Sequence, residues 1–354
     1  MSRDLSVDIG AIRLKNPVIC ASGEHVLTEA GIRAALDSGA AVVVSKSVNE
    51  SQPARDQLGH TDYALHAPDW APQPWDTPRW ATSNLLCRSG LQPRAFDDWL
   101  GAVAALDREA RARDAYVAGS IILAGLAEAV KMAKAFEAAG VRLLEFNIGT
   151  PYADEAAHGG VTTERAAARV REQVNALRAA VRIPVWVKLT GQSENVAALA
   201  AAAKDAGAAA VIMIGRSLGM LPDLETMAPT LGTNLGYGGA WALPLTCYWL
   251  ARTRKLVGPD YPLIGTNGAR SGSDVARMML AGASAVEMGT AVMTGGFTAL
   301  TDAIDSLSNY LDQKSFDARS IVGVAADRLE SFTAQPFRPD YWRQFVPAQT
   351  LDNA

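Results

Sequence analysis

Cysteine is scarce in this chain. Cys20, Cys87 and Cys247 are odd in number and show no C-x-x-C spacing, which excludes a disulfide framework and gives no iron–sulfur ligand set. The four histidines, His25, His60, His66 and His158, lack the i,i+4 or H-x-E pairing of a zinc site. There is no basic excess: the formal net charge is −4, which argues against nucleic acid as a partner. No apolar run approaches the roughly 18–20 residues that cross a bilayer. The opening MSRDLSVDIG lacks the apolar segment of a secretory signal. The expectation is a cytoplasmic enzyme or binding protein with no membrane partner. Also missing are a low-complexity linker and a G-x-G-x-x-G following a strand, so no dinucleotide fingerprint is present.

What the sequence does have is rhythm. Apolar runs alternate with Ala-rich helical stretches: PVICAS (17–22), AAVVVSKS (40–47), YVAGSII (116–122), LLEFNI (143–148), PVWVKL (184–189), AAVIMI (209–214), YPLIGTNG (261–268) and AVEMGT (285–290). Continuous runs rich in Val and Ile are the mark of strands buried on both faces. Gly39, Gly140 and Gly207 close helical stretches just before the next run, as C-terminal caps do. Eight β-α units favour a closed (β/α)₈ barrel, with a doubly wound open sheet as the alternative. The 354 residues read as a single domain. SVDIGAIRL (6–14) predicts an N-terminal hairpin. Residues 48–92, rich in Pro and aromatics, predict a long insertion after the second strand, lying over the barrel mouth. The aromatic, Pro-rich segment 330–354 reads as a C-terminal extension that docks on the body.

Polar residues collect at the C-terminal ends of these runs, which in a barrel all face one mouth. They include Ala21-Ser22-Gly23, Lys46-Ser47, Ser120, Asn147, Thr150, Lys188, Asn267-Gly268 and Gly289-Thr290. Two lysines on otherwise apolar strands each require an anionic partner, because an unpaired buried ammonium is costly. The Gly-rich turns NGARSGSD and GTAVMTGG, each followed by a helix start, expose backbone amides suited to a phosphate. Taken with the lysines, they point to FMN.

These segments carry a resemblance. LKNPVICASG, VVVSKSV, EFNIGTP, VWVKLT, SLGMLPDLETMAP and IGTNGARSGSDVARMMLAGASAVEMGTA stand in the order and spacing of the dihydroorotate dehydrogenase family, which includes the pyrimidine-reducing domain of dihydropyrimidine dehydrogenase. The similarity runs from about Leu14 to Leu300. It implies an FMN-binding (β/α)₈ barrel that moves two hydrogens across a CH–CH bond of a cyclic amide. It further implies that Ala21, Ser22 and Gly23 line the flavin, that Lys46 and Ser47 approach its ring, and that Ser120 and Asn147 meet its polar edge. Lys188 would sit by N1/O2, and Gly239, Asn267, Gly268, Gly289 and Thr290 would hold the phosphate. In the family the segment after Asn147 reads Asn-x-Ser-Cys-Pro-Asn or Asn-x-Ser-Ser-Pro-Asn, with Cys or Ser as the catalytic base; here that position holds Thr150, and residues 152–161 would form a lid. Family members commonly form homodimers.

The substrate half departs from the family. Cys87 in LLCRSGLQ, Tyr152 after Pro151, and Gly215-Arg216 in IMIGRSLGM stand where the family carries orotate-binding asparagines or their neighbours. Cys87, Tyr152 and Arg216 are therefore the candidate substrate residues, with Arg88 and Arg216 as candidate partners for an anion. The expected activity is FMN-dependent CH–CH oxidoreduction on a substrate other than orotate. The alternatives are a true dihydroorotate dehydrogenase and a non-redox phosphate-binding barrel. The sequence shows no electron-transfer partner.

Overall fold

The computed structural model describes residues 3–75, 83–149 and 166–351. The chain opens with an antiparallel hairpin, β1 (Val7–Ile9) and β2 (Ile12–Leu14). Gly10 turns it with φ +61°, a left-handed conformation that suits glycine. Next come the barrel strands β3 (Val18–Cys20) and β4 (Val42–Val44). An excursion then carries β5 (Asp62–His66), β6 (Pro72–Gln73) and β7 (Asn84–Arg88). The barrel resumes with β8 (Tyr116–Ile122), β9 (Leu144–Asn147), β10 (Val185–Lys188) and β11 (Ala210–Met213). After a second excursion, β12 (Ser217–Gly219) and β13 (Leu235–Gly239), it finishes with β14 (Leu263–Thr266) and β15 (Ala285–Met288).

The eight barrel strands pair in parallel in chain order, and β15 pairs back onto β3, so the sheet is closed. The (β/α)₈ reading holds and the open sheet is excluded: closure leaves no edge strand unpaired. Nearly every barrel-strand residue is buried, because the lumen is filled with side chains and helices cover the outside. Local chemistry sets the helix starts. Thr28 accepts from the Gly31 amide at the head of Glu29–Asp37, and Asn195 accepts from Ala198 at the head of Val196–Asp205. Inside the barrel wall, Asp107 accepts from the Val117 amide and pairs with Arg142 at 2.8 Å, tying the helix Phe96–Ala110 to β8.

The insertion after the second barrel strand does lie over the mouth, with more structure than expected, and one further expectation needs correcting. Residues 48–92 are more ordered than their composition predicts: β5, β6 and β7 join β12 and β13 in a five-stranded sheet of order β12-β13-β7-β5-β6, with every pair antiparallel. The sequence reading overlooked this sheet because its partner strands, β7 and β13, come from excursions far apart in the chain. The C-terminal extension, in its described part, does not dock on the body of this chain. Phe332 is 95% exposed and Phe337 91%, and Tyr341, Trp342 and Phe345 are exposed too. Its prolines and short single-turn helices present no continuous apolar stripe that could pack.

Candidate active site

A cavity opens at the C-terminal ends of the barrel strands, roofed by the five-stranded sheet. Of the sequence-predicted residues, Ala21, Ser22, Gly23, Lys46, Ser47, Asn147 and Lys188 line it on the barrel side. Asn267, Gly268, Gly289 and Thr290 line it after β14 and β15, and Cys87 and Arg216 line it under the sheet. Two candidates stand apart. Ser120 is fully buried below the cavity, and of the glycine pair at the end of β13 it is Gly238, not Gly239, that faces the space. Thr150 and Tyr152, with the proposed lid, lie outside the described residues.

Both lysines have found anions. Lys46 Nζ lies 2.9 Å from Glu24 Oε1, which also accepts from the Gly90 amide at 3.3 Å; Glu24 Oε2 takes a very short hydrogen bond from the Tyr63 hydroxyl. Burial works to raise the Glu24 pKa, but the Lys46 ammonium and the Tyr63 hydroxyl outweigh it and hold the carboxyl below its ordinary value. Burial and the Glu24 charge together push the Tyr63 phenol far up, so it stays a donor. Beside this group, burial and the charge of Lys46 lower the His25 pKa to about 4, leaving a neutral ring.

Lys188 sits between two carboxylates, Glu145 Oε2 at 3.2 Å and Glu287 Oε2 at 2.6 Å. Burial opposes its charge, yet the two carboxylates outweigh burial and hold its pKa above the usual lysine value. A hydrogen-bonded chain continues across the mouth. Ser120 Oγ donates to Glu145 Oε1 at 2.9 Å, Ser47 and Ser120 share a hydrogen bond at 2.8 Å, and Ser22 lies 3.3 Å from Ser47. Glu145 thus has a donor on each oxygen. Glu287 has one on Oε2 only, and its Oε1 is buried without a partner among the described residues.

Beneath the sheet, Arg216 Nη1 reaches Cys87 Sγ at 3.4 Å and donates to the Ser89 hydroxyl. Arg88 points elsewhere: it donates to the His60 and Leu231 carbonyls and does not line the cavity. Asn147 accepts from the Gly149 amide at 3.1 Å and Asn267 donates to the Gly215 carbonyl at 3.3 Å. After β14 the chain turns at Gly268, where φ is +117° and a Cβ would stand 2.6 Å from the Leu243 nitrogen. Across the cavity edge, a Cβ on Gly238 would stand 2.9 Å from Asn267 Oδ1 and 3.4 Å from Thr290 Oγ1, so the missing side chain there keeps the space beside these two residues open.

Sequence reasoning missed Glu24, Tyr63, Glu145, Glu287 and Ser89. For Glu145 and Glu287 a signal existed: each is a lone carboxylate inside an apolar strand, and a buried lysine must find such a group. Glu24 and Tyr63 gave no such signal, since only the return of β5 over the mouth brings them together.

A closed (β/α)₈ barrel whose strand ends converge on a charged, partly buried cavity is the architecture of a barrel enzyme. More narrowly, this chain belongs to the dihydroorotate dehydrogenase family, whose profile matches residues 4–311. It is similar to a dihydroorotate dehydrogenase B (NAD(+)) catalytic subunit of Methanocella arvoryzae, 30% identical over 325 residues that cover 91% of this chain and 97% of that protein. It is also similar to a dihydroorotate dehydrogenase A (fumarate) of Lactiplantibacillus plantarum, 32% identical over 319 residues, 87% of this chain and 94% of that protein. A catalytic subunit from Methanocaldococcus jannaschii, again a dihydroorotate dehydrogenase B (NAD(+)), is 27% identical over 322 residues, with 91% of this chain and 98% of that protein covered. The chain is an oxidoreductase of this family. Among its described residues no helix is long and apolar enough to cross a membrane.

Proposed function

We propose that this protein is an FMN-dependent oxidoreductase that moves a hydride between flavin N5 and the CH–CH bond of a cyclic amide or related unsaturated substrate, in a pocket altered from that for orotate. The observation that carries the reading is Lys188, a buried ammonium held by Glu145 and Glu287 in the wall of the same cavity that the glycine turn at Gly268 lines. A flat ring carrying a phosphate fits such a space: polar residues on the barrel side for the ring, an open backbone for the phosphate. Ala21, Ser22, Gly23, Lys46, Ser47, Asn147 and Lys188 would hold the ring, and Asn267, Gly268, Gly289 and Thr290 the phosphate. Bound there, FMN supplies a hydride acceptor. The residues of the chain do the rest. Thr150 takes the proton from the carbon next to the one that loses hydride, and as a weak base it does so through a water or relay. Glu24 holds the Lys46 ammonium and the Glu145–Glu287 pair holds that of Lys188 at the cavity wall, and the serine chain from Ser22 through Ser47 and Ser120 fixes where Glu145 points.

The substrate half supports a ligand other than dihydroorotate. Among the described residues that line the cavity, the side-chain amides are Asn147 and Asn267, and each already uses one of its groups on the backbone. In place of further amides stand a guanidinium, a thiol and the Glu24–Tyr63 pair. Losing three amide contacts at roughly 1 kcal/mol each weakens dihydroorotate on the order of 10²-fold. The test begins with purified protein, expected to hold about one FMN per chain. Oxidised protein is then mixed anaerobically with millimolar dihydroorotate while flavin absorbance is followed. Slow or absent bleaching is expected. Rapid, complete bleaching would instead assign the activity that the curated relatives' names carry, and colourless protein would remove flavin chemistry altogether.

A further inference from the structure

Two carboxylates share one ammonium in the wall of the cavity. Were all three groups ionised, Lys188 with Glu145 and Glu287 would carry a net charge of −1, not the +1 that Lys188 alone suggests. The two carboxylates are not equivalent. Glu145 accepts from Ser120 on one oxygen and from Lys188 on the other, so its ionised form is fully solvated by the protein. Glu287 is 1% exposed, accepts from Lys188 on Oε2, and leaves Oε1 buried with no donor among the described residues. An unsolvated carboxylate oxygen beside a second carboxylate is the place where a proton resides.

Among the described residues, the surroundings of Glu287 supply no other compensating charge. On β3 the facing group is Cys20, a buried thiol that burial and Glu287 itself keep protonated. On β14, Leu263, Ile264, Gly265 and Thr266 carry no ionisable group. On the helix Gly272–Leu280, packed outside β15, Asp274 pairs with Arg277 at 3.0 Å and with Arg270 at 2.9 Å. Across the lumen, among the described residues, Lys188 and Glu145 meet it. Burial first, and then the neighbouring Glu145 charge, push the Glu287 carboxyl up to about 7 against the pull of Lys188.

We propose that Glu287 is a proton-coupling residue: above neutral pH it binds one proton from solvent when the bound cofactor is reduced and releases it on reoxidation. This rests on the FMN reading given above. The balance is simple. One substrate C–H bond breaks with its electron pair, which leaves as hydride and adds one negative charge to the site, while the neighbouring carbon gives up its proton by way of Thr150 and the C=C bond forms. That charge, next to the Glu145–Lys188–Glu287 group, is offset by one solvent proton on Glu287 Oε1. Below neutral pH Glu287 already holds its proton in both states, and the hydride is the only proton taken up.

The experiment is an electrochemical titration of the FMN-loaded protein with reference dyes between about pH 6 and pH 9. One proton per two electrons changes the midpoint potential by about 30 mV per pH unit, and two protons change it by about twice as much. The wild-type slope is expected to steepen from the first value to the second as pH rises through neutrality. Glu287→Gln keeps the contact to Lys188 and removes the proton site, so its slope should stay near the first value throughout. A wild-type slope that is constant or grows shallower, or a steepening that survives in E287Q, overturns the proposal. Direct proton counting on reduction needs no variant: two protons per flavin at about pH 8 and one at about pH 6 support it, and equal counts reject it. Should the protein bind no FMN, the reading of its function falls, and infrared spectroscopy still decides the role of Glu287. A protonated-carboxyl band that disappears near neutral pH, and is missing in E287Q, must be present in the cofactor-free protein; without that band the proposal fails.

Discussion

At the residue scale, Lys188 bridges two buried carboxylates, so its value to the fold is read from what remains once it is gone. Lys188→Ala leaves Glu145 and Glu287 facing each other in the lumen, and breaking a buried pair in this way costs about 3–5 kcal/mol. The expected outcome is a lower denaturation midpoint together with loss of FMN on gel filtration; a variant of wild-type stability and normal flavin content would take Lys188 out of both roles. His25 predicts an acid limb. Its folded pKa of about 4 lies below the ordinary 6.5, so as pH falls below 6.5 the unfolded chain binds a proton that the native ring refuses. The stability that neutral His25 contributes is complete above pH 6.5 and is lost as pH falls toward 4, on the order of 3 kcal/mol in all. The Glu24 carboxyl, held below its usual value of 4.5, adds its own loss as pH falls below about 4.5. Melting temperature followed from pH 7 to about 4 should drop in the wild type and flatten in His25→Leu.

At the element scale, the turn after β14 and the sheet over the mouth do different work. Gly268 holds a backbone conformation that a side chain rarely adopts, and its missing Cβ lets the chain pass the start of the helix Leu243–Val257. Gly268→Ala should therefore cost both strain and contact, above the roughly 1 kcal/mol typical of a forced left-handed residue. Because the same turn borders Asn267 and Thr290, flavin content should fall more steeply than stability. The comparison of flavin absorbance with melting temperature in one preparation checks this. The five-stranded sheet, by contrast, contributes Cys87 from β7 and positions Arg216 just before β12, so it sets what lies opposite the barrel.

At the scale of the whole molecule, the closed barrel and its shared core carry the stability, and the extension after residue 329 contributes little to it. Its described aromatics face solvent, so deleting residues 330–354 should leave melting temperature and FMN content near wild type. Differential scanning calorimetry with an absorbance spectrum decides it. A large fall in melting temperature would mean that the extension is covered in solution, and sedimentation would then show whether a second copy does the covering.

The apolar runs determined eight parallel strands buried on both faces, because such strands must be apolar throughout, and favoured a barrel; that the sheet closes rather than stays open was decided by β15 pairing back onto β3. They also determined where Lys46, Asn147, Lys188, Asn267 and Gly268 would stand, since strand ends in a parallel barrel all point to one mouth. The hairpin at 6–14 was legible from its alternation around Gly10. What the sequence left open was decided by contacts between distant segments. Tyr63 and Glu24 meet through β5, which pairs with β7 over the mouth, and no local periodicity records that. The roof sheet joins residues 62–88 to 217–239, and its short strands carry too few residues to show a period. The charge on Lys188 was legible, but its sign at the site was not, for that depends on two carboxylates from opposite sides of the lumen, and only the closed barrel brings them within 3.2 Å of one ammonium.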